Sequence, residues 1–132
     1  METLWTMFDQ AVEQAQGALD EYGLLERIVT ERTSHDYRLS MPGSGGELRQ
    51  IAVFADVVMV AGHMSGGSHI STNQTRATIY LVPSLAGKRL RWIVEATGKD
   101  FTPRVVDDLF LSVFSDDPAA TTRLSAYFTL TP

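Results

Sequence analysis

The apolar residues of this chain change period twice, and that change restricts what it can fold into. From Leu4 they fall at Leu4, Phe8, Val12, Ala15, Leu19 and Tyr22, the three-then-four spacing of one helical stripe, which Trp5 widens. Thr3 is the expected N-cap and Gly23 the expected stop, while Gly17 inside the helix suggests a close contact or bend. Leu25, Ile28 and Val29 would suit a helix, but the β-branched run Ile28, Val29, Thr30 favours a strand, and from Tyr37 the spacing is two, Tyr37, Leu39 and Met41 alternating with Arg38 and Ser40 as a half-buried strand does. Turn-forming residues follow at Pro42 to Gly46. Leu48 to His63 reads either as one long bulged strand or as two short ones, because Ala55 and Asp56 are poor material for a tight turn. Ala77 to Val82 is apolar on both faces, as a central strand would be. After a turn expected at Pro83 to Gly87, Leu90, Trp92 and Val94 alternate with Arg91 and Glu95. The helical period then returns. Thr102 caps and Pro103 opens a helix with Val106, Leu109, Phe110, Val113 and Phe114 on one face, and Asp117-Pro118 repeats the signature before a last helix running through Leu124 and Tyr127 toward Phe128. Strands grouped between terminal helices predict one α+β domain over residues 1–132: a curved, mostly antiparallel sheet of about four to six strands, with one N-terminal and two C-terminal helices.

Composition narrows the partners. A chain of 132 residues with 44% hydrophobic and 20% charged residues suffices for one folded core. Its 11 basic against 16 acidic residues, net charge -5, argue against nucleic acid or an anionic membrane as partner, since both select a positive surface. There is no cysteine, which excludes disulfides, thiolate catalysis and cysteine-ligated metal. The N-terminus lacks the basic start and apolar core of an export signal, and the longest apolar run, IAVFADVVMVAG, is shorter than the roughly 20 residues that span a bilayer. A cytoplasmic protein is expected, with no cofactor.

The stretch AGHMSGGSHISTNQT, Ala61 to Thr75, comes nearest to a chemical motif, placing His63 and His69 beside three glycines. Gly62, Gly67 and Ser68 half-match a phosphate loop, but the lysine is absent and no helix follows. Ser65 and Ser68 do not form a nucleophile elbow either. His63, His69 and His35 are the right residue type for a metal, but their spacing matches no ligand motif, so no metal is assigned. The stretch reads as a glycine-rich connection between strands. The pairs Asp107-Asp108 and Asp116-Asp117 are read as helix-start acids meeting free N–H groups rather than a catalytic dyad. Lys88, Arg89 and Arg91 flank Trp92, yet Trp92 shares parity with Leu90 and Val94 and so belongs to the core rather than to a stacking platform.

Without a complete catalytic motif, the leading expectation is a non-enzymatic protein-interaction module, a homodimer or bound to another protein, with Val106, Leu109, Phe110, Val113 and Phe114 as the candidate interface. In profile it is similar to small acidic accessory proteins such as secretion chaperones and toxin-immunity proteins. The alternative rests on a resemblance. The run IAVFADVVMVAGHMS, then TRATIYLV, a turn and GKRLRWIVEAT, resembles the strand-turn-strand ending of the NTF2-like (SnoaL-type) fold over less than half the chain. That resemblance implies a cone-shaped pocket for a small ligand or for isomerase or lyase chemistry, with His63 near its mouth; Tyr80, Trp92 and Asp56 are the further candidate liners. The rest of the chain departs from it, with one N-terminal helix where that fold usually has more and two helices after the last strand.

Overall fold

The computed structural model describes residues 2–23, 27–42, 47–60, 63–72, 78–86, 89–115 and 117–127, of which 2–3, 57–60, 63–65, 85–86 and 89 are described by their backbone alone. A long helix α1 (Glu2–Glu21) leads into six strands, β1 (Val29–Arg32), β2 (Asp36–Pro42), β3 (Leu48–Val60), β4 (His63–Thr72), β5 (Thr78–Ala86) and β6 (Arg89–Val94), followed by helices α2 (Pro103–Ser115) and α3 (Pro118–Leu124). The strands form one open antiparallel sheet in the order β1-β2-β3-β4-β5-β6, each beside its sequence neighbour. This is the α+β arrangement expected from the change of period.

The helices lie on one face of the sheet. Tyr37, Leu39, Ile51, Val53, Ile70, Leu81 and Trp92 point toward them and join Leu4, Phe8, Val105, Val106, Leu109 and Val113 in a single buried core, since side chains alternate between faces along a strand. Phe8 stands at its centre, with ring centroids 6.1 Å from Tyr37, 6.3 Å from Phe101 and 6.4 Å from Phe110. Tyr37 donates its hydroxyl to Asp9, which also pairs with Arg32, so α1 is tied to the β1–β2 hairpin.

The ends of the helices follow the residues that cap them. Gly23 closes α1 at φ 70°, a left-handed conformation that glycine adopts without penalty. Asp117 caps α3 by accepting from the backbone N–H of Ala119 and Ala120. Tyr127 lies beyond α3, which ends at Leu124, and Phe128, residues 43–46, Asp116 and the Thr3 side chain lie outside the described residues.

Several elements differ from expectation, each for a physical reason. Leu48–Val60 is one strand, paired without interruption to β4 from Ile51↔Thr72 to Val60↔His63. The glycine-rich stretch is therefore no connecting loop: His63–Thr72 is β4, inside the sheet. Glycine is required there by the backbone, because Gly66 has φ 105° and a Cβ on Gly67 would sit 2.9 Å from the Leu81 carbonyl oxygen. The expected turn at Pro83 is also strand, since β5 runs on to Ala86 paired only with β6. Its ladder with β4 stops at Ser68↔Leu81, two residues before the proline that has no N–H to give. A Cβ at Gly17 would meet nothing within 4 Å, so no close contact explains the glycine.

Asp107 and Asp108 fall in the second turn of α2 rather than at its start. Asp108 is buried and takes two hydrogen bonds from the Arg123 guanidinium, at 3.0 and 2.8 Å, which with the Ser112–Thr121 hydroxyl contact of 2.6 Å fastens α3 to α2. Donating these bonds to Asp108 raises the Arg123 pKa against the opposing effect of desolvation, and the charges of Asp108 and Asp117 add to the rise. Asp107 is held above the usual carboxylate range by partial burial and by the charge of Asp108.

Candidate functional site: the helix-free sheet face

Cross-strand partners share a face, so the register lays out the side of the sheet that carries no described helix. Its central row runs Asp36↔Phe54↔His69↔Tyr80 across β2 to β5, and the Glu95 N–H continues it by bonding the Tyr80 carbonyl. The rings of this row are in contact in series: His35 and Phe54 at 6.4 Å between centroids, Phe54 and His69 stacked at 5.2 Å, His69 and Tyr80 at 6.2 Å. His35 is anchored there through Nδ1, 3.2 Å from the Ala55 carbonyl. Tyr80 is 58% exposed.

The row on one side runs Glu31↔Arg38↔Ala52↔Ser71↔Thr78, charged at the β1–β2 end and small and polar beyond it. On the other side stand Asp56, paired with Gly67, and Val82, paired with Ile93. Beside Asp56 the backbone of β5 closes in on Gly67, whose Cβ position lies 2.9 Å from the Leu81 carbonyl oxygen. A shallow hollow of about 320 Å³ opens at the opposite end, between Thr78, Tyr80, Glu95 and Ala96. Of the seven large hydrophobic residues exposed among those described, five lie on this face, namely Val29, Leu48, Phe54, Tyr80 and Val82. The other two, Tyr22 and Leu111, border an apolar groove of about 210 Å³ on the far side, between α1 and α2, with Leu19, Phe110, Phe114 and Met41.

The charges on the helix-free face are unevenly compensated. Glu31 stands opposite Arg38 in the β1–β2 pairing, and Arg91 pairs with Asp100 at 3.3 Å. Asp36, Asp56 and Glu95 have no cation among these pairs, and they surround the aromatic row.

Protein-family models, curated proteins and solved structures contain no match to this chain. The site therefore stands on its geometry.

The residues singled out from sequence are distributed as follows. Trp92 is 1% exposed and faces the core, whereas Tyr80 and Asp56 are on the opposite face, so these three do not line one cavity. The Trp92 indole N–H has no acceptor among the described residues. His63 is the first residue of β4, and its side chain lies outside the described residues. Val106, Leu109, Phe110 and Val113 are buried in the core, and Phe114 is half-buried at the α1–α2 groove. Among the described residues no group of three histidines or carboxylates is placed to hold a metal ion, and no helix is long and apolar enough to cross a membrane. The sequence reading missed Phe54 and His69 as partners of Tyr80. The available signal was the even-numbered parity of Phe54 and Asp56 against the odd-numbered Ile51, Val53 and Ala55.

Proposed function

We propose that this protein is a non-catalytic protein-interaction module and that it binds through the helix-free face of its sheet. One observation carries the reading: five of the seven exposed large hydrophobic residues described lie on that face, and three of them, Phe54, Tyr80 and Val82, stand in or beside the row of rings. Exposed apolar and aromatic groups concentrated in one place, with charged residues at the margin, are the composition of a protein-binding surface. Aromatic anchors at its centre are the residue types that dominate binding energy. The separation of Tyr80 from Trp92 by the thickness of the sheet weighs against a single enclosed pocket built from the sequence candidates.

The test is cross-linking in the native host with wild-type protein, Tyr80→Ser and Leu111→Ser. A partner lost with Tyr80→Ser and retained with Leu111→Ser supports the reading; the reverse pattern moves the site to the groove. A second reading, binding of a small apolar ligand, is favoured by the groove between α1 and α2. Titration with a fluorescent apolar dye checks it, since displacement by Leu111→Trp but not by Tyr80→Ser would locate the ligand there.

A further inference from the structure

We infer that an extended segment of another protein adds to β1 as a seventh, antiparallel strand, with a lysine or arginine opposite Glu31 and a β-branched side chain opposite Val29. The site is an edge of the sheet rather than its face and is independent of the surface proposed above.

The two ends of the sheet differ. Along β6 the main chain is covered: Phe101 donates its N–H to the Trp92 carbonyl at 2.7 Å, and Val94 donates to the Lys99 carbonyl at 2.8 Å. β1 has no such cover among the described residues, and all four of its residues are exposed. Hydrogen bonding alternates along an antiparallel strand, which fixes the groups left over. Thr33 donates to the Asp36 carbonyl, so the hydrogen-bonded pairs recur at Glu31↔Arg38 and Val29↔Ser40. The N–H and C=O groups of Thr30 and Arg32 therefore point away from the sheet. The pairing of β2 with β3 agrees, since the Ala55 N–H bonds the His35 carbonyl, which turns the odd residues of β2 toward β3 and the even ones toward β1. Two residues before Thr30, the outward N–H of Ile28 is taken by the Gln16 side chain of α1 at 3.0 Å. Arg27 and Arg32 pair with Asp20 and Asp9 of the same helix, so α1 holds the edge in place while leaving its outer groups open. Such an edge is a template for main-chain pairing with an extended segment.

Charge and register choose the occupant. Cross-strand partners share a face, so Val29 and Glu31 lie on the helix-free face with Ser40 and Arg38, and Thr30 and Arg32 lie on the helix side. On β1, β2 and β3 the helix-free face carries Glu31, Asp36 and Asp56 against Arg38 alone. A cation is therefore the residue that complements Glu31 from its open side. Arg32 needs no such partner, because Asp9 pairs with it and it lies over the Tyr37 ring. Val29 is 54% exposed, and a β-branched neighbour covers it in the manner sheets favour. A second copy of β1 fits badly. Registers that match open groups to open groups set Glu31 against Glu31 or Arg32 against Arg32, or else face Glu31 with Val29, and like charges directly opposite are destabilising.

The experiment adds the synthetic peptide Ser-Thr-Lys-Thr-Val-Thr, at millimolar concentration, to the full-length nitrogen-15-labelled protein and follows it by nuclear magnetic resonance. In the antiparallel register its lysine stands opposite Glu31 and its valine opposite Val29. Amide hydrogen exchange at Thr30 and Arg32, fast in the free protein, should slow about fivefold at saturating peptide. Replacing the lysine by glutamate should weaken binding at least about threefold at low salt, and Glu31→Gln should remove that difference. Methylating the backbone nitrogens of the second and fourth peptide residues, which face β1, should abolish binding, whereas methylating those of the lysine and valine, which face away, should not. Thr30→Pro, a change that an open edge tolerates, should abolish binding with the circular dichroism unchanged. Unaltered exchange at Thr30 and Arg32, or the same response to both methylated peptides, overturns the seventh strand. Equal binding of the lysine and glutamate peptides overturns the cation opposite Glu31. Shifts at His69 and Tyr80 in place of β1 put the peptide on the face and overturn the edge site. A dimer in sedimentation equilibrium that Thr30→Pro converts to monomer identifies a second copy as the occupant and overturns the inference.

Discussion

Arg49 places a cation inside the core, 5% exposed, where its guanidinium donates to the Val113 carbonyl 3.1 Å away in the last turn of α2. The end of a helix presents unpaired carbonyls and a partial negative charge, which favour a buried cation there. Arg49→Ala removes a charge-assisted bond and leaves that carbonyl buried, which should cost about 2 kcal/mol in urea unfolding. Tyr37 works at the other end of the core. Burial, then its bond to Asp9 and the Asp9 charge, raise its hydroxyl pKa well above the ordinary 10, with Arg32 opposing. An unfolded chain ionises this tyrosine near pH 10 and the folded one does not. Its contribution to stability is therefore complete below pH 10 and is lost as the pH rises above it. Tyr37→Phe should lower neutral stability by about 1 kcal/mol and flatten the alkaline part of the stability profile, as read by chemical denaturation between pH 7 and 11.

At the scale of elements, two glycines make opposite demands. Gly17 sits exposed in α1 with open space around it, so Gly17→Ala should stabilise the protein by roughly 0.5–1 kcal/mol. A Cβ at Gly67 would press on the Leu81 backbone, so Gly67→Ala should destabilise by about 1–3 kcal/mol, the usual range for overpacking. Thermal melts of the two variants give the signs directly. The same pair explains what was legible in the sequence. Helices α1 and α2 and strands β2 and β6 were readable because their apolar residues repeat with the period of the element, β1 from its β-branched residues and α3 from its Asp117-Pro118 start. The glycine-rich β4 was not, since MSGGSH carries turn composition and its strand form depends on pairing with β3 on one side and a close approach to β5 on the other. The candidate site was half legible for the same reason. Tyr80 stood out, but its contact with His69 and Phe54 exists only through a register that loop-like residues conceal.

The described residues share a single core, and both tryptophans belong to it, Trp5 from α1 and Trp92 from β6. Unfolding by denaturant should therefore be one transition, with tryptophan fluorescence and far-ultraviolet circular dichroism giving the same midpoint. Separate midpoints would mean that helices and sheet come apart independently. Because every strand pairs with the strand next to it in sequence, the sheet can be assembled by closing short loops, each at small entropic cost. The meeting of α1 with α2 is different, for it joins elements separated by the entire sheet. Chain topology thus divides the folding reaction into a local search that builds hairpins and one distant encounter that seals the core. Truncation of Phe8, which touches Phe110 across that seam, should accelerate unfolding far more than it slows folding in stopped-flow kinetics, leaving the early assembly of hairpins almost undisturbed.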